Sequence, residues 1–234
     1  MNDQNRILQA NPTLIMDEGQ SKSELEAQLA EERQHLAALP EGASPAERIH
    51  IELDIAETLL GLNRVQEAWD QARAAFDHSL ATESWQEAAE ACDILFRSGL
   101  DGSTVALANG VWLAVTYPIK PHTTVALLHH IVDETPDKSD GGAVAAMAAH
   151  YVADLRTEGE AHDSLTFFTG QVLARVAKRH RGIEGEDMIK TWIEVLQLND
   201  PGELLARLGK MLDVIVDGDW WYDRDALRAQ LPSH

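Results

Sequence analysis

The sequence predicts an all-α fold, built of antiparallel helical hairpins in a repeat-like or bundle-like array. Apolar residues recur at intervals of three and four along most of the chain, as on one face of a helix. Helix-start patterns, such as Ser44-Pro45-Ala46-Glu47 and Asp200-Pro201-Gly202-Glu203, precede several of these stripes. Nowhere do two alternating apolar-polar runs flank a tight-turn dipeptide, so no β-hairpin is expected.

In chain order, residues 1–20 are polar without a sustained period and read as a flexible arm. They lack the basic start and apolar stretch of a signal peptide. Ser23 is expected to open the first helix, with Glu26 completing a capping box. Leu25, Leu29, Leu36 and Leu39 give it a stripe, and Pro40-Glu41-Gly42 ends it. Ser44 and Pro45 start the next helix, whose stripe is Ile49, Leu53, Ala56 and Leu60. After Gly61 and Asn63 a third helix carries Val65, Ala68, Trp69, Ala72, Ala75 and Phe76. Two helices joined by so short a turn run antiparallel.

The stretch AETLLGLNRVQEAWDQARAAF, from Ala56 to Phe76, resembles the body of a tetratricopeptide repeat. Ala56 and Leu59 match the small and large residues of the first helix, and Ala68 and Ala75 the small residues of the second. Trp85, Ala88, Ala89 and Cys92 repeat the first-helix pattern at close to the family's period. Glu52 departs from it, standing where the family places Trp or Leu, and no proline closes the unit. The resemblance covers about residues 44–96. It implies a concave face lined by first helices and carrying His50, Leu53, Asp54, Glu57 and Leu60.

Ser98-Gly99-Leu100-Asp101-Gly102 is the expected internal boundary, dividing hairpins over 21–98 from a helical domain over 103–234. Gly102 to Ile119 is a run of 18 uncharged residues. It falls short of the roughly 20 apolar residues of a membrane span, and polar residues and prolines interrupt it. A buried helix is expected there. Pro121 starts a helix through Val125, Leu128 and Val132, and Ala143–Leu155 is rich in small residues that suit close helix approach. Three more stripes follow: Leu165 to Val176, Met188 to Leu196, and Leu204 to Ile215. The tail brings Trp220, Trp221 and Tyr222 into an acidic setting, where the trio either folds back to fill a groove, the commoner fate of such bulk, or stands exposed as an interface anchor.

Charge and cysteine content narrow the function. With 39 acidic against 19 basic side chains the formal charge is −20, which argues against nucleic acid as a partner. The single dense basic run, Arg175, Lys178, Arg179, His180 and Arg181, is one helix end rather than a groove. Cys92 is the only cysteine, so no intrachain disulfide or thiolate zinc site is available, and a cytoplasmic setting is expected. Cys92 itself sits on an apolar stripe, as an inert core thiol does. No phosphate-binding loop, dinucleotide fingerprint or nucleophile elbow occurs.

Two classes of function remain. The leading expectation is a non-catalytic interaction module, an adaptor or accessory factor for another protein. Its candidate binding residues are the concave-face set together with Trp220, Trp221 and Tyr222, and a basic or amphipathic segment is the expected partner. Self-association through Ala143–Ala149 is a variant of it. The alternative is a metal-dependent or acid/base enzyme. His129 with Asp133, His130 with Glu134, and His150 with Asp154 are each four apart and share a helix face. A divalent metal would then lie between His129, Asp133, His150 and Asp154. Glu32-x-x-His35 and Glu47-x-x-His50 have the spacing of carboxylate-bridged di-iron ligands but lack the further glutamates such a site requires.

Overall fold

The computed structural model describes residues 21–231, so the expected arm at 1–20 lies outside the described residues. All the regular structure among them is helical: α1 Lys22–Ala38, α2 Pro45–Gly61, α3 Val65–Ala81, α4 Trp85–Arg97, α5 Ser103–Thr116 and α6 Pro121–Glu134. There follow α7 Asp140–Arg156, α8 Gly159–Arg181, α9 Glu186–Val195, α10 Pro201–Val216 and α11 Arg224–Ala229. Each helix from α1 to α8 packs against the next.

Local chemistry sets the helix starts, with two departures from expectation. The capping box of α1 is Ser21 with Glu24, two residues earlier than predicted. Glu24 N–H donates to Ser21 Oγ, and Ser21 N–H donates to Glu24 Oε2 at 2.6 Å. Ser23 is already inside the first turn. Ser44 makes no side-chain capping bond, so α2 relies on Pro45 in its first turn. Asp200 caps α10 as expected, accepting from Gly202 and Glu203 N–H at 2.8 and 3.1 Å. Asn63, at φ +58°, turns the chain from α2 into α3.

The helices form two layers. α2, α4, α6 and α8 touch in succession on one side, while α3, α5 and α7 are their hairpin partners on the other. α1 covers the open flank of α2, burying Leu29 against Ile51, Ile55, Leu59 and Ala68. Most of the other buried apolar side chains share a single core from Ile49 to Val216. The Ser98–Gly102 break is therefore a turn within a continuous core. Across it α4 and α5 approach so closely that a Cβ on Gly110 would lie 2.5 Å from Cys92 Cβ. α5 is the buried uncharged helix the sequence predicts, and among the described residues no helix is long and apolar enough to cross a membrane.

The C-terminal segment returns over the odd-numbered layer. α10 packs on α5 and α7, and the strap after it reaches α3. Asn109, fully buried in the middle of α5, anchors this strap. Its Nδ2 donates to Val105 O, its Oδ1 accepts from Trp221 N–H at 3.1 Å, and its carbonyl accepts from Tyr222 Oη at 2.7 Å. Leaving such a group unpaired would cost about 1–3 kcal/mol. Trp221 meets Phe76 edge-on with centroids 5.2 Å apart, and the Arg73 guanidinium lies 4.2 Å over its ring.

A second lock joins α8 to α9. Trp192 Nε1–H donates to Nδ1 of buried His180 at 3.1 Å, and an indole N–H can only donate. The proton of neutral His180 is therefore on Nε2, which lies 3.1 Å from an Asp140 carboxylate oxygen, off the ideal angle.

Candidate binding groove

A groove of about 200 Å³ runs across α2, α4 and α6. Leu53, Ile94 and Ala126 give it an apolar floor, and His50, Asp54, Glu57, Glu90, Asp93 and Thr123 supply the rest of its lining. The layer geometry explains the set. Leu53, Asp54 and Glu57 project from one face of α2, and Glu90, Asp93 and Ile94 from the matching face of α4. Hairpin packing aligns the two faces side by side.

Four of the five concave-face residues expected from sequence therefore line one surface: His50, Leu53, Asp54 and Glu57. Leu60 does not. It shares the face of Leu53 but lies two turns, about 10 Å, further along α2, where it is half-buried and packs against the apolar cores. Trp220, Trp221 and Tyr222 are also elsewhere, half-buried on the odd-numbered layer. They serve as the strap's own packing rather than as an extension of this surface.

An ion network backs the groove. Arg97 makes a two-pronged bond to Glu57, both contacts at 2.7 Å, and a third contact of 3.1 Å to Asp93. His130 Nε2–H donates to the other Asp93 oxygen at 3.0 Å, and its ring packs on Phe96. Burial pushes the Asp93 carboxyl up, but the His130 hydrogen bond and Arg97 more than offset it, leaving Asp93 below its ordinary value. Burial likewise opposes the charge on Arg97, and Glu57 and Asp93 overcome it, raising its pKa. Asp54 differs: burial raises its carboxyl, and His50 only partly counters this. His50 is itself exposed, 3.7 Å from Glu87. Of the four groove carboxylates, Glu57 and Asp93 are paired with the guanidinium of Arg97, while Asp54 and Glu90 make no contact with it. The surplus is negative.

Sequence reading missed the α4 and α6 half of this surface. A signal was present: Asp54-x-x-Glu57 and Glu90-x-x-Asp93 repeat the same carboxylate spacing on successive first helices.

The expected metal ligands do not converge. His129 Nδ1 is 3.6 Å from Asp133, but Arg175 bonds both, at 2.9 Å to His129 and 3.2 Å to Asp133. A guanidinium occupies the place a metal ion would take. His150 turns to Thr169 instead, 2.9 Å away. Thr169 gives its own proton to Leu165 O, so His150 Nδ1–H is the donor. Asp154 is bonded by His162 at 3.1 Å, and His130 faces Asp93 rather than Glu134. Glu32 accepts from Thr58 and Gln28. Among the described residues no group of three or more His, Cys, Asp or Glu side chains is placed to hold a metal. Cys92 is fully buried, and burial drives its thiol pKa far up, as in an unreactive core cysteine.

No protein-family model matches the chain. Neither the curated proteins nor the solved structures compared with it gave a match.

Proposed function

We propose that this chain is a non-catalytic helical adaptor, an accessory or assembly factor of the cytoplasm, which takes a basic or amphipathic segment of another protein in the α2–α4–α6 groove. One observation carries the reading: an apolar floor of Leu53, Ile94 and Ala126 is lined by Asp54, Glu57, Glu90 and Asp93, with one guanidinium behind them. A segment with apolar and cationic side chains complements both features. Residues 44–96, the hairpin α2–α3 with α4 after it, are read as tetratricopeptide-like, with the first helices α2 and α4 turned to the partner. The overall charge of −20 favours the same partner and disfavours nucleic acid.

The test is a fluorescence-anisotropy titration with an amphipathic peptide of alternating Leu and Arg turns, beside an otherwise identical peptide carrying Glu for Arg. The basic peptide is expected to bind and to weaken with added salt, and the acidic one to fail. The double variant Asp54→Asn/Glu90→Gln spares the Glu57–Arg97–Asp93 network and should weaken binding about tenfold, from two partly exposed ion pairs of up to about 1 kcal/mol each. Equal binding of both peptides, or an unchanged affinity in the double variant, would falsify the groove assignment. Sedimentation equilibrium distinguishes a second copy of the chain from a different partner.

A further inference from the structure

A second and larger cavity, about 460 Å³, opens on the other side of the molecule where α10 lies against α5 and the α6–α7 turn. Its volume falls within the range of about 300–1,000 Å³ that accommodates small organic ligands. Leu107, Ile131, Met211 and Ile215 form much of the wall. The hydroxyls of Thr135 and Ser139 both make local hydrogen bonds. Thr135 donates to Ile131 O, and Ser139 caps α7 by accepting from Gly141 N–H. Glu134 is the one charged residue in the lining. Among the described residues it has no ion-pair partner, because His130, one turn earlier, bonds Asp93 instead.

The helix dipoles do not settle the sign of the site. α5 and α7 begin beside it while α6 and α10 end beside it, so two positive and two negative ends largely cancel. The carboxylate decides. We infer that this cavity is a binding site for a small organic cation, an ammonium group on an apolar body, with the ammonium at Glu134 and the body against Leu107, Ile131, Met211 and Ile215. The site shares no lining residue with the α2–α4–α6 groove, and the inference does not depend on the adaptor reading.

Three probes of matched shape test it: phenylbutylamine, phenylbutanol and phenylbutanoate, titrated into the full chain and followed by methyl NMR of Ile131, Met211 and Ile215. The phenyl ring should shift these methyls. The amine should bind up to about fivefold tighter than the alcohol, as a partly exposed ion pair allows, and the carboxylate most weakly. Glu134→Gln, at an exposed position, should erase the preference for amine over alcohol by weakening the amine. Val214→Trp, on a rim residue 79% exposed, should reduce binding of all three by roofing the cavity. Absence of shifts at the cavity methyls, equal affinity for the three probes, or a preference that survives Glu134→Gln each overturns the assignment. Equal affinity would mark a neutral apolar socket instead.

Discussion

Replacing Gly110 with alanine tests the close approach at the centre of the fold. The new Cβ would lie 2.5 Å from Cys92 Cβ, against a normal carbon–carbon contact of about 3.5–4 Å. Both atoms are fixed to helix backbones, so no rotamer change relieves the overlap, and α4 and α5 must separate by about 1 Å. Overpacking of this kind costs about 1–3 kcal/mol, here towards the upper end. Alanine returns about 1 kcal/mol of helix propensity, leaving a net loss of about 2 kcal/mol. For a chain of this size that is a Tm decrease of about 4–8 °C. Urea unfolding followed by circular dichroism gives the number, with an unchanged slope showing that stability rather than compactness moved. Gly170→Ala and Gly209→Ala are the controls, because a Cβ at either meets nothing within 4 Å, and both should stabilise by up to about 1 kcal/mol. Cys92→Ala keeps its Cβ and should not rescue Gly110→Ala. If Gly110→Ala is as stable as the controls, the packing argument for α4 and α5 is wrong.

Arg97→Met leaves Asp93 and Glu57 without their guanidinium. Breaking a buried pair costs about 3–5 kcal/mol, and because Glu57 is 37% exposed we expect about 2–3 kcal/mol, with Asp93→Asn restoring part of it in the double variant. Asp93 has a depressed folded pKa, so its contribution is complete above the unfolded value of about 3.9 and is lost as pH falls through the folded value. Asp93→Asn should flatten the acid-side decline of stability there. His150 has a pKa lowered chiefly by burial, so its contribution is full above about pH 6.5 and declines below it as the unfolded chain takes up the proton first. His162 has the opposite sign: its hydrogen bond to Asp154 raises its pKa, so its contribution is present below about pH 6.5 and disappears as pH rises through the folded value. Stability–pH curves of His150→Gln and His162→Gln should therefore deviate from the parent in opposite directions, and parallel curves would refute both assignments.

Much of the secondary structure was legible because its causes are local. The three- and four-residue stripes of α2, α3, α8 and α10, the Asp200 cap and the uncharged run that became α5 are properties of neighbouring residues. That His50, Leu53, Asp54 and Glu57 share a face of α2 was legible for the same reason, since helix periodicity fixes which side chains stand together. The roles of Asn109 and Gly110 within α5 were not legible, because both depend on elements distant in the chain. In mid-helix, the asparagine anchors the strap and the glycine admits Cys92.

Partners across helices were not legible. His129 and Asp133, His130 and Glu134, and His150 and Asp154 each share a face by spacing, and spacing says nothing of what approaches that face. Arg175 came to the first pair, Asp93 took His130 from the second, and Thr169 and His162 divided the third. The sequence by itself determined the helices, the acidic balance and the face of α2 that lines the groove. Tertiary structure decided that Asp54 and Glu57 stand beside Glu90 and Asp93, that Arg97 ties Glu57 to Asp93, and that the aromatic strap folds inward onto Asn109. The physical reason is range: helix periodicity and capping act within a few residues, whereas ion pairs and close packing depend on contacts between residues that are distant in the chain.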